Sequence, residues 1–409
     1  MRAAIRHLRG LISPSVFLSA ALVFLLTLKL LFWTGLLAVV WSYAGYPLHL
    51  WLLARGRRRP EAAPVGLPSV TVIVAAYNEE RHLAAKLDNL LALAYPKEQL
   101  QLIVASDCST DGTHAIAQRY AEAGVELAAL PERGGKTAAQ NLAVTRATGD
   151  IVVFTDATTE FAPETLHDLL APFGRPEVGC VGAELEYVST KGSVVGRGAG
   201  AYWRYEKAVK ALEARVHSLV GVSGCLYAVR RALYRPMDPV LISDFMIAGD
   251  VYEQGCITVG ARGAVSRETT NEDAEREFDM RVRVAVRSIN ALVTRSRLLN
   301  PFRFGFFAYQ LWSHKVLRYA APQLLLLSLG AAVLIVQQEG LRSVYGASLV
   351  GGVALLAAAA VGWMASRAGR RLPLVHVPFY FAHVNVAALW AAVLYLRGER
   401  KVTWTTVRV

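Results

Sequence analysis

Long apolar stretches at both ends of the chain bracket a charged middle, and this arrangement limits the fold more than any motif does. The first stretch runs from Val16 to Leu53, with Lys29 as its one full charge. Three more run from about Leu317 to Val336, from Val344 to Ala365 and from Leu374 to Leu396. Each of these last three is long enough to cross a hydrocarbon core of ~30 Å, which takes ~20 helical residues. At 54% hydrophobic residues and a mean hydropathy of +0.33, the chain is too apolar for an ordinary soluble protein, yet its middle is too charged for a membrane interior. A soluble domain set between membrane segments satisfies both conditions. The opening stretch is longer than one crossing needs and short for two, which predicts a tight helical hairpin or one span preceded by an interfacial helix. Arg2, Arg6 and Arg9 ahead of it also suit a signal peptide, but no small-residue cleavage site follows an apolar region of the usual length.

The formal net charge is +12, but much of the basic excess sits at membrane edges: Arg55, Arg57, Arg58 and Arg59, then Arg367, Arg370 and Arg371. This is the pattern of the positive-inside rule rather than of nucleic-acid binding, and it points the central domain to the cytoplasm. If the last apolar segment crosses outward, Arg397, Arg400, Lys401 and Arg408 fall on the wrong side. With His376, Pro378, His383 and Asn385 in it, that segment reads as partly re-entrant or as packed inside the bundle. Cys108, Cys180, Cys225 and Cys256 have no zinc spacing and read as reduced packing residues.

From Ser69 the pattern changes. SVTVIVAAY is a continuous β-branched run, as in a strand buried on both faces of a parallel sheet. Asn78, Glu79 and Glu80 then open a helix with Leu83, Leu87, Leu90 and Leu91 at helical spacing. LQLIVAS, VELAAL and DIVVFTD come next as strands, separated by helices over His114 to Ala123 and Thr137 to Ala147. Four such alternations predict a Rossmann-like α/β domain.

In such sheets ligands bind at the carboxyl ends of the strands, so the loops there hold the candidate residues. The AAYNEE turn offers Ala76, Asn78 and Glu79 to a base or ribose; its alternative is a helix cap. DCSTDGT places Asp107 before a turn shaped by Asp111 and Gly112. PERGGKTAAQN sets two glycines before Lys136 at a helix start, where amides and one ammonium can receive a diphosphate, although a solvated lysine is the simpler alternative. Asp156 ends the most apolar strand, with Thr158 two residues on; this suits Mg2+ or Mn2+, which take few protein ligands and keep phosphate oxygens and water.

Taken in order, SVTVIVAAYNEE, IVASDCSTDGT, ERGGKTAAQN and IVVFTDATTEF resemble the inverting, membrane-bound family 2 glycosyltransferases of GT-A fold. The likeness spans roughly Ser69 to Pro322 and includes GVSGCLYAV, LISDF and EREFDMRVRVAVR. It implies an α/β GT-A domain flanked by transmembrane helices, a nucleotide-diphosphate sugar donor (commonly a UDP sugar) and a divalent metal. By the same resemblance Asp107 contacts the nucleoside, Lys136 faces the diphosphate, Asp156 is the first aspartate of the DxD motif, and Gly224 and Cys225 line the acceptor side. Asp244 stands in the place of the catalytic base.

Two departures matter. Thr158 replaces the second DxD carboxylate, so the metal is left with Asp156, Thr158 and non-protein ligands. The QxxRW motif of chain-building members is replaced by MRVRV, with Met280, Arg283 and Val284. Arg281, Arg283 and Arg287 share a predicted helix, Arg283 and Arg287 on one face, and suit either a pyrophosphate clamp on the donor and acceptor sides or lipid headgroups. NPFRFGFFAYQLW suits an interfacial helix.

These readings divide the chain into a membrane segment of one or two helices over 1–60, a catalytic domain over 61–300, an interfacial helix over 301–316, and membrane helices with a basic tail over 317–409. They imply single transfer to a lipid-linked or polysaccharide acceptor at the inner membrane. A processive synthase coupled to export and an inactive nucleotide-sugar scaffold are the alternatives.

Overall fold

The computed structural model describes residues 14–57, 66–188, 193–269, 273–370, 372 and 374–400. The terminal and linker arginines Arg2, Arg6, Arg9, Arg58, Arg59, Arg371 and Arg408, and Lys401, lie outside the described residues.

Seven strands form one sheet: β1 (Val70–Ala76), β2 (Leu100–Ser106), β3 (Val125–Ala129), β4 (Ile151–Asp156), β5 (Val178–Val188), β6 (Leu226–Arg230) and β7 (Ile257–Thr269). Their order is β3-β2-β1-β4-β6-β5-β7, with β6 antiparallel to both neighbours and the other pairings parallel. Every residue of β1 is buried, as its β-branched run predicts for a strand covered on both faces. Alternate residues serve opposite layers. Val70, Val72 and Val74 pack with Leu83, Leu87 and Leu90 on one face, while Ile73 joins Ala139, Ala143, Phe154 and Ile247 on the other.

The helices are α1 (Pro14–Val40), α2 (Tyr46–Ala54), α3 (Leu83–Leu91), α4 (Thr113–Arg119), α5 (Lys136–Val144), α6 (Thr165–Leu170), α7 (Val194–Val216), α8 (Ser243–Glu253), α9 (Ala274–Thr294), α10 (Pro301–Leu311), α11 (Leu317–Glu339), α12 (Val344–Arg367) and α13 (His376–Leu396). Among the described residues, four helical stretches are long and apolar enough to cross a membrane: 19–54, 301–339, 344–367 and 376–396.

Several local expectations change. The opening stretch is neither a hairpin nor a span led by an interfacial helix. A π-turn at Trp41–Gly45 joins α1 to α2 without a break, and α2 then lies on the α/β domain, Tyr46 and Leu50 packing with Val209 and Val216. The interfacial stretch is likewise not separate, because α10 passes through a π-turn at Trp312–Val316 into α11. Helix α3 begins only at Leu83, so Asn78, Glu79 and Glu80 form a turn ahead of it. The last segment is one continuous helix and not re-entrant. It runs beside α9: Tyr380 donates to Glu277 at 2.6 Å near its start, and Leu394 shares a cluster with Val282 and Val286 near its end.

The α/β domain is fastened to the helical part by buried charge. Glu206 and Glu213 on α7 are buried, as are His314 in the second π-turn and Arg318 on α11. Arg318 pairs with Glu206, Tyr46 Oη donates to Glu213 at 2.6 Å, and each ring nitrogen of His314 faces one of the two carboxylates, at 2.7 and 3.1 Å. Removing one member of such a network strands its partner's charge in a dry site, at a cost of ~3–5 kcal/mol. Arg318→Met is therefore expected to lower the thermal unfolding midpoint of the full chain in detergent, and Arg318→Met with Glu206→Leu to recover most of the loss. Unchanged melting of the single variant would show that the clamp carries no stability.

Candidate functional site

The parallel register brings the strand ends together. Ala76 at the end of β1 pairs with Ser106 of β2, and Ala75 with Asp156 of β4, so Asp107 and Asp156 emerge on either side of β1. Asp107 is fully buried and its N–H donates to Ala76 O at 3.0 Å. Its Oδ1 accepts from the Gly134 and Gly135 N–H groups at 2.7 and 2.8 Å, while its Oδ2 is buried without a hydrogen bond, with Arg133 Nε 3.7 Å away. One oxygen thus holds the glycine loop, and the other faces Arg133. Arg133 also lies over the Tyr77 ring at 3.7 Å, and neither residue was singled out by sequence.

Asn78 and Glu79 knit two loops together rather than capping a helix. Asn78 has a positive φ of 52°, a backbone state asparagine tolerates better than most residues. Its Oδ1 accepts from Thr110 N–H at 2.8 Å, and the Glu79 and Glu80 N–H groups donate to Thr113 Oγ1 and Asp111 Oδ2 at 2.8 and 3.1 Å. Burial acts upward on the Asp111 carboxyl, but the hydrogen bonds from Thr113 and Glu80 outweigh it and hold the group below its ordinary value.

Gly135, at a φ of 87°, turns the chain into α5, which Lys136 begins. The Lys136 ammonium pairs with Asp156 and donates to Gly224 O at 3.0 Å. Burial opposes its charge, but Asp156, helped by Cys225 and Asp244, more than compensates and raises it above the usual lysine value. The sequence reading has Lys136 facing a diphosphate; the structure pairs it with Asp156. Buried Lys86 supports the same loop by donating to Thr159 O, and burial depresses it to about 7 against the pull of Asp156 and Glu160.

Asp244 lies in the first turn of α8, against Gly224. A Cβ on Gly224 would come within 2.7 Å of Asp244 Oδ2, so the glycine is what lets the carboxylate approach this loop. Asp244 Oδ1 is buried and has no hydrogen bond. Cys225 is buried, as expected of a packing residue, and its carbonyl continues the β4–β6 pairing by accepting from Asp156 N–H at 3.4 Å. Arg287 reaches in from α9, donating to Leu241 O at 2.6 Å and to Thr137 Oγ1 at 3.2 Å. Burial lowers it to about 10, with Asp244 acting upward and Arg283 downward. Arg283 is half-buried nearby. Arg281 does not join them: it pairs with Glu277 at 2.9 Å among the rings of Tyr202, Trp203 and Tyr380.

No group of three His, Cys, Asp or Glu side chains is placed to hold a metal among the described residues. Asp156, with 27% of its side chain exposed, and half-buried Thr158 still fit a hard cation that takes most of its oxygens from substrate phosphates and water.

Residues 71–236 match the model of the Glycosyl transferase family 2. The beta-monoglucosyldiacylglycerol synthase of Nostoc sp. (strain PCC 7120) is 33% identical over 134 residues, covering 32% of this chain and 29% of that protein. The N-acetylglucosaminyltransferase of Rhizobium leguminosarum bv. trifolii is 32% identical over 124 residues, 29% of this chain and 68% of the relative. The chain thus spans less than a third of the length of the first of these relatives. Among solved structures, the mannosyltransferase PcManGT from Pyrobaculum calidifontis, in complex with GDP-Man and Mn2+, superposes with a TM-score of 0.63 at 24% identity, over 87% of this chain and 98% of that one. That likeness supports the GT-A fold. The family match, together with the Rhizobium relative of which this chain covers 68% at 32% identity, shows that this chain belongs to glycosyl transferase family 2.

Proposed function

We propose that the protein is an inverting glycosyltransferase that moves one sugar from a nucleoside-diphosphate donor, a UDP sugar by the family resemblance, to a lipid-linked or polysaccharide acceptor at the inner membrane, with its α/β domain cytoplasmic. The observation that carries this is Asp244, whose buried, unpartnered Oδ1 sits across Gly224 from the Lys136–Asp156 pair. A base across the reacting carbon from the leaving-group site, within reach of the acceptor hydroxyl, is the arrangement that single inverting displacement requires.

In this reading the nucleoside lies against Asp107, with Tyr77 and Arg133 beside it. The diphosphate lies by the Gly134–Gly135 amides and Lys136, with Arg283 and Arg287 adding positive charge. A divalent cation held by Asp156 and Thr158 would neutralise charge on the leaving diphosphate. Asp244 takes the proton of the acceptor hydroxyl as its oxygen bonds to the anomeric carbon; the bond to the diphosphate breaks, and the centre inverts. The absence of QxxRW favours one transfer over polymerisation. The catalytic unit comprises the sheet and α3–α9, with α1, α11 and α12 as crossings. Helix α13 lies along α9 at the interface, which keeps Arg397 and Arg400 on the domain's side. Arg57, which donates to Val216 O, and Arg367, 4.0 Å from Glu275, also stand on that side, in keeping with the positive-inside rule.

Membranes containing the full chain, given labelled nucleotide sugars with Mg2+ or Mn2+, are expected to label a short product; a high-mass polymer would instead show a synthase. Asp244→Asn should cut transfer ~10²–10⁴-fold, the usual worth of a general base, with nucleotide binding kept. Transfer unaffected by this change removes Asp244 from the chemistry. In Asp156→Ala, residual transfer should no longer respond to added metal, and a retained response would locate the metal elsewhere. Asp107→Ala strands two loop amides, at ~1–3 kcal/mol, and should weaken nucleotide binding roughly 10–100-fold by titration calorimetry.

A further inference from the structure

Asp244 is delivered to the crevice by residues 234–242, a stretch between β6 and α8 that contains neither strand nor α-helix. Pro236 and Pro239 bring no N–H to it, and Leu241 N–H closes a turn on Asp238 O at 2.9 Å. Such a stretch takes its shape from outside, and here the outside partner is α5. Asn141 takes both main-chain groups of Met237, its Nδ2 donating to the carbonyl at 2.6 Å and its Oδ1 accepting from the N–H at 3.1 Å. The same Oδ1 accepts from Tyr234 Oη at 2.8 Å. Thr137 Oγ1 donates to Leu241 O at 2.9 Å, and Arg287 adds a second donor to that carbonyl at 2.6 Å. Gln140 Oε1 accepts at 2.8 Å from the hydroxyl of Ser243, the residue just before Asp244. Thr137, Gln140 and Ser243 are all buried.

Thr137, Gln140 and Asn141 stand at i, i+3 and i+4, so they share one face of α5. Lys136, the first residue of that helix, holds Asp156 and the Gly224 carbonyl. Of the run GGKTAAQN, the proposed reaction uses the glycines and the lysine, and gives Gln140 and Asn141 nothing to do. We infer that Gln140 and Asn141 are positioning residues for Asp244: they fix the stretch that delivers the base against the helix that begins with Lys136, so that base and leaving-group site keep one spacing. Neither acts on the reacting atoms. Asn141 works through the main chain of Met237, and Gln140 works through Ser243. The spacing matters because displacing a reacting group by about 1 Å costs on the order of 10²-fold in rate. A side-chain amide suits the task at Met237, since its donor and acceptor match a peptide C=O and N–H as a neighbouring strand would, whereas an ionised carboxylate could only accept. This inference rests on Asp244 being the base of the proposed reaction; the anchoring of 234–243 by α5 does not.

The test uses the full chain, in membranes for steady-state transfer and in neutral detergent for UDP and GDP binding and for amide hydrogen exchange. Gln140→Leu and Asn141→Leu are each expected to lower kcat ~10–100-fold, with donor KM and nucleotide binding unchanged. In an Asp244→Asn background the same changes should cost nothing further, because a residue that acts through the base has no effect once the base is gone. Ser243→Ala, the smallest truncation of the same contact, should match Gln140→Leu and add nothing to it; it replaces the leucine variants if they fail to fold. A kcat loss that persists in full in the Asp244→Asn background overturns the inference by making the role structural, and an unchanged kcat overturns it outright. Lost nucleotide binding also overturns it, by assigning the residues to the donor. In Asn141→Leu or Ser243→Ala, amides 237–246 should lose protection from exchange while 70–76 keep theirs, and unchanged protection removes the anchoring. If the wild-type chain transfers no sugar but this loss of protection is seen, the glycosyltransferase reading fails and the anchoring by α5 stands.

Discussion

The crevice is organised by one ammonium group. Lys136 joins the end of β4, through Asp156, to the Gly224 carbonyl, and Gly224 lies directly against Asp244. The glycine loop and the Gly224 loop, 88 positions apart in the chain, are thereby drawn together by one lysine. Its position is in turn set by Asp107, which holds the two amides before it from beneath. A buried carboxylate with one oxygen spent on backbone amides is a rigid support, because breaking it would leave amides and charge unpaired together. The order of dependence therefore runs from β2 to the glycine loop, to Lys136, and from there to Asp156 on one side and to Gly224 and Asp244 on the other.

Some of this was legible in sequence, for a physical reason. Asp107 and Asp156 terminate strands buried on both faces, and a parallel sheet has one carboxyl edge where such residues converge. The separation of Arg281 from Arg283 and Arg287 was implicit too: at ~100° per residue, Arg283 and Arg287 sit about 40° apart while Arg281 points the other way. The buried charge clamp carried no such signal: Glu206 and Glu213 meet His314 and Arg318 through the packing of α7 on the foot of α11, which no local period encodes. Asn78 misled for a related reason, because its hydrogen bonds go to Thr110 in the next loop and not to the helix after it.

The two π-turns explain how the membrane part reaches the chemistry. Each inserts one residue into an otherwise regular helix, and such insertions free a main-chain carbonyl and rotate the rest of the helix about its axis. Here they face one another: Ser42 Oγ, in the first, donates to Ser313 O, in the second, at 3.0 Å, and Trp41 Nε1 donates to Ser313 Oγ at 3.1 Å. The carbonyl that the second turn would leave bare is thus satisfied by the first. The rotation lets consecutive residues do different work, His314 entering the buried acids while Lys315 turns to Phe245 beside Asp244. An unbroken α-helix through 312–316 would swing Lys315 about 100° from its present heading. The charge clamp and the contact of Lys315 with Phe245 are set by the same local irregularity, so a change that regularises this turn cannot spare one and lose the other.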